Sequence, residues 1–291
     1  MPSQNIQWFP GHMARTRRLI TENLKNVDAV IELLDARIPY SSRNPEISKL
    51  CVGKPTIVLL NKASLADPSI THAWSRHLSG ERTICIETDC VSGAGLSQIM
   101  PALRSVCEKK LERYEEKGMS GRALKAMVVG IPNVGKSSLI NKLCGNKKAK
   151  VENRPGVTLD KQWVSTSIGL LLLDMPGVLW PKFDDPLVGE NLAITGAIKD
   201  DVLDVESVAM ILCARMREMY PQLFTERYKL GNLPSAEEMD AYDLLSLVGR
   251  KRGFLVSGGE VNLERTANML LDEFRAAKIG RISLDLPPKK G

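Results

Sequence analysis

Two hydrophobic rhythms divide the chain. In the first part, mostly apolar runs of a few residues recur at 27–34, 55–60, 83–86, 126–129 and 170–173. Runs of this length, rich in Val, Ile and Leu, predict buried strands. Residues 162–167 read as one more strand, joined to the 170–173 run by a turn at Gly169. Helical spacing fills the intervals at 14–25, after Asp67-Pro68, along a charged bridge at 96–117 that stops at Gly118, and at 138–143. Asp67-Pro68 supplies an N-cap and a proline at the first helical position. Strands alternating with helices predict an α/β fold with a doubly wound, mostly parallel sheet. Beyond Pro186 the strand signals stop. Residues 187–198, 205–220, 236–248 and 263–278 all carry helical spacing. The pattern therefore predicts an α/β domain with an N-terminal arm at 1–185 and an all-helical domain at 186–291.

Composition narrows the setting. At 291 residues, 43% hydrophobic and 25% charged, the chain has the make-up of a globular protein. A formal charge of +6 favours an anionic partner such as RNA, although many cytosolic proteins are equally basic. The six cysteines are scattered and form no C-x-x-C pair, so they read as reduced core residues rather than a disulfide or zinc framework. No run is long enough to span a membrane, and the start has no basic-then-apolar signal pattern. The expectation is a cytoplasmic protein with no membrane partner.

Gly130-Ile131-Pro132-Asn133-Val134-Gly135-Lys136-Ser137 matches the P-loop pattern, between a predicted strand and a predicted helix. Its glycines let several N–H groups converge on one phosphate, and the helix N-terminus adds partial positive charge there. Lys136 is placed to neutralise the β/γ-phosphates, and the Ser137 hydroxyl to ligate Mg²⁺. The expected phosphate-binding set is Asn133, Val134, Gly135, Lys136, Ser137 and Ser138. Asp174-Met175-Pro176-Gly177 follows a strand of four leucines. It offers a carboxylate for a Mg²⁺-bound water and a glycine N–H for the γ-phosphate. Thr158, after Pro155-Gly156, is the natural second hydroxyl ligand for Mg²⁺.

Asn61-Lys62-Ala63-Ser64 ends another predicted strand. A guanine-reading turn has the form N-K-x-D. The asparagine braces, the lysine packs along the base, and the aspartate accepts from guanine N1 and N2. Here the fourth residue is Ser64, which carries no charge. Losing a charge-assisted contact costs about 1.5–3 kcal/mol, roughly ten- to a hundredfold in affinity or discrimination. The closest following carboxylate, Asp67, is a candidate substitute, and Ser64→Asp is expected to sharpen guanine preference. An ordinary strand-end turn is the other reading of these residues.

The order of these pieces is unusual. Asn61-Lys62 precedes the P-loop, which precedes Thr158 and Asp174. This is the order of a circularly permuted P-loop GTPase domain. Together with Trp8-Phe9-Pro10-Gly11-His12-Met13, Asp35-Ala36-Arg37-x-Pro39 and Pro155-Gly156-Val157-Thr158, it closely resembles the circularly permuted GTPases that assemble the large ribosomal subunit, the RbgA/YlqF type. The resemblance runs from about Ile6 to Ile282 and departs at Ser64.

The resemblance implies a GTP-hydrolysing switch for late assembly of the large (50S) subunit. Its partners would be GTP/GDP and the subunit precursor, through rRNA and ribosomal proteins. It places Asp89 and Cys90 in the loop that approaches the base. It matches Asn133 to the asparagine of K⁺-stimulated GTPases, where bracing the loop is the alternative role. Val178 stands where many GTPases carry a water-orienting glutamine, and the resemblance assigns that task to His12. On its residues alone His12 reads as a helix cap or as packing beneath Trp8. Arg15, Arg17 and Arg18, with Arg250, Lys251 and Arg252, are candidate rRNA phosphate contacts, and a solvated basic surface is the plain alternative. The chain is expected to be monomeric off the ribosome and slow without it. Two rival readings stay open: a nucleotide-dependent RNA- or ribosome-binding module with negligible hydrolysis or relaxed base specificity, and a P-loop ATPase or kinase acting on a small molecule. Bacterial and organellar origins are not distinguished.

Overall fold

The apolar runs pair into one sheet, and its strand order explains where the motifs meet. The computed structural model describes residues 10–119, 121–145 and 163–288, with side chains from Met13 onward. In chain order the sheet domain comprises α1 (Pro10–Leu24), β1 (Ala29–Asp35), α2 (Pro45–Leu50), β2 (Thr56–Asn61), α3 (Pro68–Leu78), β3 (Thr83–Glu87), α4 (Ile99–Val106), α5 (Glu108–Glu116), β4 (Leu124–Val129), α6 (Lys136–Cys144), β5 (Trp163–Ser165) and β6 (Leu170–Asp174). The helical domain comprises α7 (Pro186–Ile194), α8 (Val205–Met219), α9 (Pro221–Tyr228), α10 (Ala241–Lys251) and α11 (Leu263–Arg275).

Among the described residues, six strands form one sheet in the order β3-β2-β1-β4-β6-β5. All neighbours run parallel except the β5–β6 pair. The fold is thus the doubly wound, mostly parallel α/β sheet expected, followed by helices. Successive strands step outward from β1 through β2 to β3, and the chain then returns to lay β4 against the other side of β1. That reversal is a topological switch point, where such sheets bind ligands at the carboxyl ends of their strands. Asp35, Asn61, Glu87, Val129 and Asp174 are the last residues of the parallel strands, so one edge gathers them.

Burial sets the register. Every residue of β1 is buried, as are residues 57–61 of β2 and 126–129 of β4. Each buried Val, Leu or Ile side chain contributes about 1.5–3 kcal/mol, and a slip of one residue would exchange the two faces. One core continues from the sheet face at Ile31, Leu33 and Val128 through Leu179 and Leu192 to Leu212, Leu245 and Phe274 of the helical domain.

One local expectation changes, and two helices join those expected. The bridge at 96–117 is not one helix. It breaks at the buried Cys107, because α4 lies on the core through Ile99, Ala102 and Leu103 while α5 buries no side chain. Pro221 ends α8 and starts α9 at its first position. α2 is too short to show a helical period, although Asn44 caps it from the side chain and Pro45 opens it.

The chain's end returns to the sheet domain. Ile282 N–H donates to Leu65 O (3.2 Å) and Leu284 N–H to Arg37 O (2.8 Å). Asp285 accepts from Ser41 N–H (2.7 Å), the Ser41 hydroxyl (2.9 Å) and the Asn191 amide of α7 (2.7 Å). Residues 281–285 therefore lie as a strap behind the ends of β1 and β2.

Candidate functional site

From Val129 the chain turns through residues 130–135 into α6. Gly135 is the N-cap of α6 with φ 103°, a left-handed conformation that suits glycine. A Cβ there would also collide with the Asn61 amide, so the position demands glycine twice. Asn133 is left-handed too, with φ 60°, and its amide donates to Gly196 O at 2.8 Å, just past the end of α7. The P-loop is thereby hydrogen-bonded to the helical domain.

The Lys136 ammonium donates to Gly130 O (3.0 Å) and Ile131 O (2.8 Å). Burial pulls its pKa down to about 8, against the attraction of Asp174. An anion at the loop would favour the charged form. A Cβ at Gly177 would strike this ammonium, which is why the D-x-x-G glycine can lie so close. At Asp174, burial pushes the carboxyl up and Lys136 opposes the shift. Asp174 Oδ1 is buried without a hydrogen-bond partner. The orphaned Asp174 oxygen and the exposed Ser137 hydroxyl, next in the chain to Lys136, are hard-oxygen donors of the kind that suits Mg²⁺ or its bound water. Thr158 lies outside the described residues. Ser138 is exposed beside Ser137 at the start of α6, and the buried Val134 supplies the carbonyl that Asn61 holds.

Asn61 joins the two halves of the edge. Its Nδ2 donates to Val134 O in the P-loop (2.6 Å), and its Oδ1 accepts from Cys90 N–H (2.9 Å). Lys62 has φ 61° and ion-pairs with Asp35 at 3.0 Å, which fixes its stem in the turn after β2. Asp35 also takes Arg37 through two hydrogen bonds of 2.9 and 2.7 Å. Burial pushes the Asp35 carboxyl up, but Arg37 and Lys62 outweigh it and hold it far below the usual carboxylate range. Ser64, exposed at the fourth position of the turn, hydrogen-bonds Oδ2 of the buried Asp89. Asp67 does not substitute for the missing carboxylate. Its side chain caps α3, accepting from Ser69 N–H (2.8 Å) and Ile70 N–H (3.1 Å). Ala63 N–H donates to Thr88 O at 3.0 Å, tying the turn to the loop after β3. The Cys90 thiol is buried and pushed up to about 12, so that residue meets the site through its backbone.

Val178 and Leu179 are buried in the core. Neither can orient a water. His12 lies in the first turn of α1, and its side chain is outside the described set. The next residue, Met13, is buried in the same apolar cluster as Met175 and Val178. Asn44 Nδ2 lies 3.9 Å from Met13 Sδ and donates to Val178 O at 3.2 Å. The start of α1 therefore adjoins the D-x-x-G segment.

The basic residues fall into two groups. Arg15, Arg17 and Arg18 are exposed on α1, with Arg17 paired to Glu46 and Arg18 to Glu22 at 2.8 Å. Arg250 and Lys251 are exposed in the last turn of α10 rather than in a loop. Arg252 turns inward: it pairs with Glu273 at 3.2 Å and stacks over Tyr228, 4.9 Å from the ring centroid. Its packing role was invisible in the Arg-Lys-Arg run.

Two contributors escaped the sequence reading. Asp35 was visible as the start of Asp-Ala-Arg, but nothing local told that it would anchor Lys62. Arg281 donates to Ala66 O and Ala63 O at 2.8 Å each, holding the turn from a distant part of the chain that carries no local signal.

Comparison with known proteins agrees with this geometry. A family model described as 50S ribosome-binding GTPase matches residues 125–227. Ribosome biogenesis GTPase A of Bacillus licheniformis is 47% identical over 282 residues, spanning 97% of this chain and 98% of that protein. Ribosome biogenesis GTPase A of Priestia megaterium is 46% identical over 283 residues, 97% of each. Among solved structures, GNP-bound YlqF from T. maritima superposes with a TM-score of 0.63 at 26% identity, covering 94% of this chain and 98% of that one.

Proposed function

Because the chain belongs to the ribosome biogenesis GTPase A family and is a GTPase, we propose that it acts as a GTP-hydrolysing switch in late assembly of the large ribosomal subunit. The observation that carries this reading is the meeting, at one sheet edge, of the P-loop, Asp174 and the Asn61 turn, with Asn61 hydrogen-bonded into the P-loop.

In this reading the P-loop N–H groups and Lys136 hold the phosphates, and residues 61–64 with the Asp89–Cys90 loop hold the base. Ser137 and Thr158 would hold Mg²⁺, with Asp174 behind a bound water. When bound, Mg²⁺ supplies positive charge to the β/γ-oxygens. Asn133 is the residue that would face a K⁺ ion, and its bond to Gly196 makes it equally a brace. His12 is the group that would orient the attacking water. Asn44, which meets both Met13 Sδ and Val178 O, supports that placement.

The readout follows from the permutation. Gly177 leads through the buried Leu179 and Trp180 into α7, so a change at the γ-phosphate reaches the helical domain through packed residues. The sheet unit to residue 185 would perform the chemistry, and residues 186–291 would contact the particle. Arg15, Arg17 and Arg18, with Arg250 and Lys251, would meet rRNA phosphates. Arg252 would act by holding α10 against α11. The protein would work in the cytoplasm, as a monomer when off the particle.

Hydrolysis with and without large subunits tests the reading. Large subunits should raise turnover by more than about tenfold, as a partner that completes a catalytic set does. Equal rates would remove the switch. His12→Ala should spare GTP binding and lower stimulated turnover, and unchanged turnover would remove His12 from catalysis.

A further inference from the structure

Resting on the GTPase reading, we propose that Ser64 and Asp89 together read the guanine base, Ser64 touching it and Asp89 setting the direction of the Ser64 hydroxyl. The pair restores, across two loops, the carboxylate that the Asn61-Lys62-Ala63-Ser64 turn lacks.

Ser64 is exposed, whereas Asp89 is only 6% exposed on the loop after β3. Asp89 Oδ1 is held by Val91 N–H and Ser92 N–H, each at 2.9 Å. Its Oδ2 meets the Ser64 hydroxyl. An ionised carboxylate can only accept, so the serine proton must point inward. The outward face of Ser64 Oγ then carries lone pairs alone. Guanine offers N1–H and N2–H donors along its reading edge, while adenine offers an N1 lone pair there. An acceptor-only oxygen backed by a buried negative charge attracts the first and repels the second. A free serine would do neither, because it could turn its proton to suit either base. At Asp89, burial pushes the carboxyl up, but the bonds from Ser64, Ser92 and Val91 outweigh it and hold it below the ordinary range, so it is ionised at neutral pH.

This reverses one expectation read from the sequence. With Asp89 in place, Ser64→Asp sets two carboxylates against each other, and like charges this close resist joint ionisation. That substitution should weaken guanine binding rather than sharpen it. Asp89→Asn acts differently. The new amide keeps an oxygen for Val91 and Ser92 and donates to Ser64 Oγ, which turns the serine proton toward the base.

The experiment is titration of the full chain with GDP and with ADP, in wild type, D89N, S64D and the double variant S64D/D89N. In D89N, GDP affinity should fall about tenfold or more while ADP affinity holds or rises. S64D should lose GDP affinity, and S64D/D89N, in which one carboxylate remains and an amide replaces the other, should recover the wild-type GDP-to-ADP ratio. A D89N protein with the wild-type ratio, an S64D protein with a sharper one, or a folded double variant that does not discriminate would each overturn the proposal. A wild type that prefers ADP would instead refute the GTPase reading on which the pair rests.

Discussion

At the proposed phosphate end of the cleft, Gly130, Gly135, Lys136 and Ser137 all come from one continuous stretch, and the contacts they prepare would be made largely by backbone N–H groups. At the base end, Asn61, Ser64, Asp35, Asp89 and Arg281 come from segments far apart, and nearly every contact involves a side chain. The difference has a physical source. N–H groups that converge on a phosphate need only the local turn and the helix that follows. Recognition of a base edge needs acceptors at particular points, and any loop that reaches those points can supply them. The phosphate end is therefore constrained position by position. Under the proposed pairing of Ser64 with Asp89, the base end tolerates the movement of a carboxylate from the fourth position of the turn to a neighbouring loop.

Perturbing each end should reveal this asymmetry. The largest effect is expected from Lys136→Ala. GTP and GDP affinity should fall by at least about a hundredfold, since charged hydrogen bonds to phosphate disappear. The nucleotide-free protein should melt no lower, because burial already disfavours the ammonium there. Calorimetric titration and thermal melting measure both. A large drop in melting temperature would mean that the lysine builds the loop as well as serving it.

Asn61→Ala comes next, because it should damage both ends together. It frees a buried P-loop carbonyl and the Cys90 N–H, at a cost of about 1–3 kcal/mol of stability. Urea unfolding reads the stability, and GDP and ADP titrations read the two functions. An intact base preference beside weakened phosphate binding would show that the ends are independent.

A pH series isolates the phosphate end. Free Lys136 titrates at about 8, and a bound phosphate raises that value, so binding favours the protonated form. GDP affinity should be flat well below pH 8 and should weaken above it, by at most about tenfold per pH unit. For the free protein the sign is opposite. The folded pKa lies below the ordinary lysine value, the unfolded chain binds the extra proton, and this group's contribution to stability rises with pH between the two. Affinity that does not change through pH 8 would remove Lys136 from charge recognition.

The smallest effect is expected from Arg281→Ala. Losing its two bonds to Ala63 and Ala66 loosens the base turn from behind, with a penalty of about 1 kcal/mol and a few-fold in GDP affinity. Competition between GDP and ADP checks it. An equal loss for both nucleotides would place the strap's influence on the whole cleft rather than on the base.

Much of this molecule was legible before folding. The β2, β3, β4 and β6 runs were located to within two residues, because short apolar stretches have few alternatives to a buried parallel strand. The P-loop motif was legible because its pattern lies within eight consecutive residues. α2 was missed because six residues cannot display a helical period, although its cap was written in Asn44-Pro45. The break at Cys107 was missed because charge continues through it while burial does not. Arg252 was read by composition as a surface residue, and only Glu273 on α11 turns it inward.

From the sequence alone came the P-loop motif, the fold class and the permuted order, since each is written in neighbours or in order along the chain. Tertiary structure decided which carboxylate stands beside the Asn61 turn, that Asp35 holds Lys62, and that residues 281–285 brace the turn from behind. These pairings join residues brought together only by the parallel alignment of β1, β2 and β3 and by the return of the tail. A backbone turn is determined by the residues that form it. A side-chain pair between loops exists only once the sheet has set the distance between them.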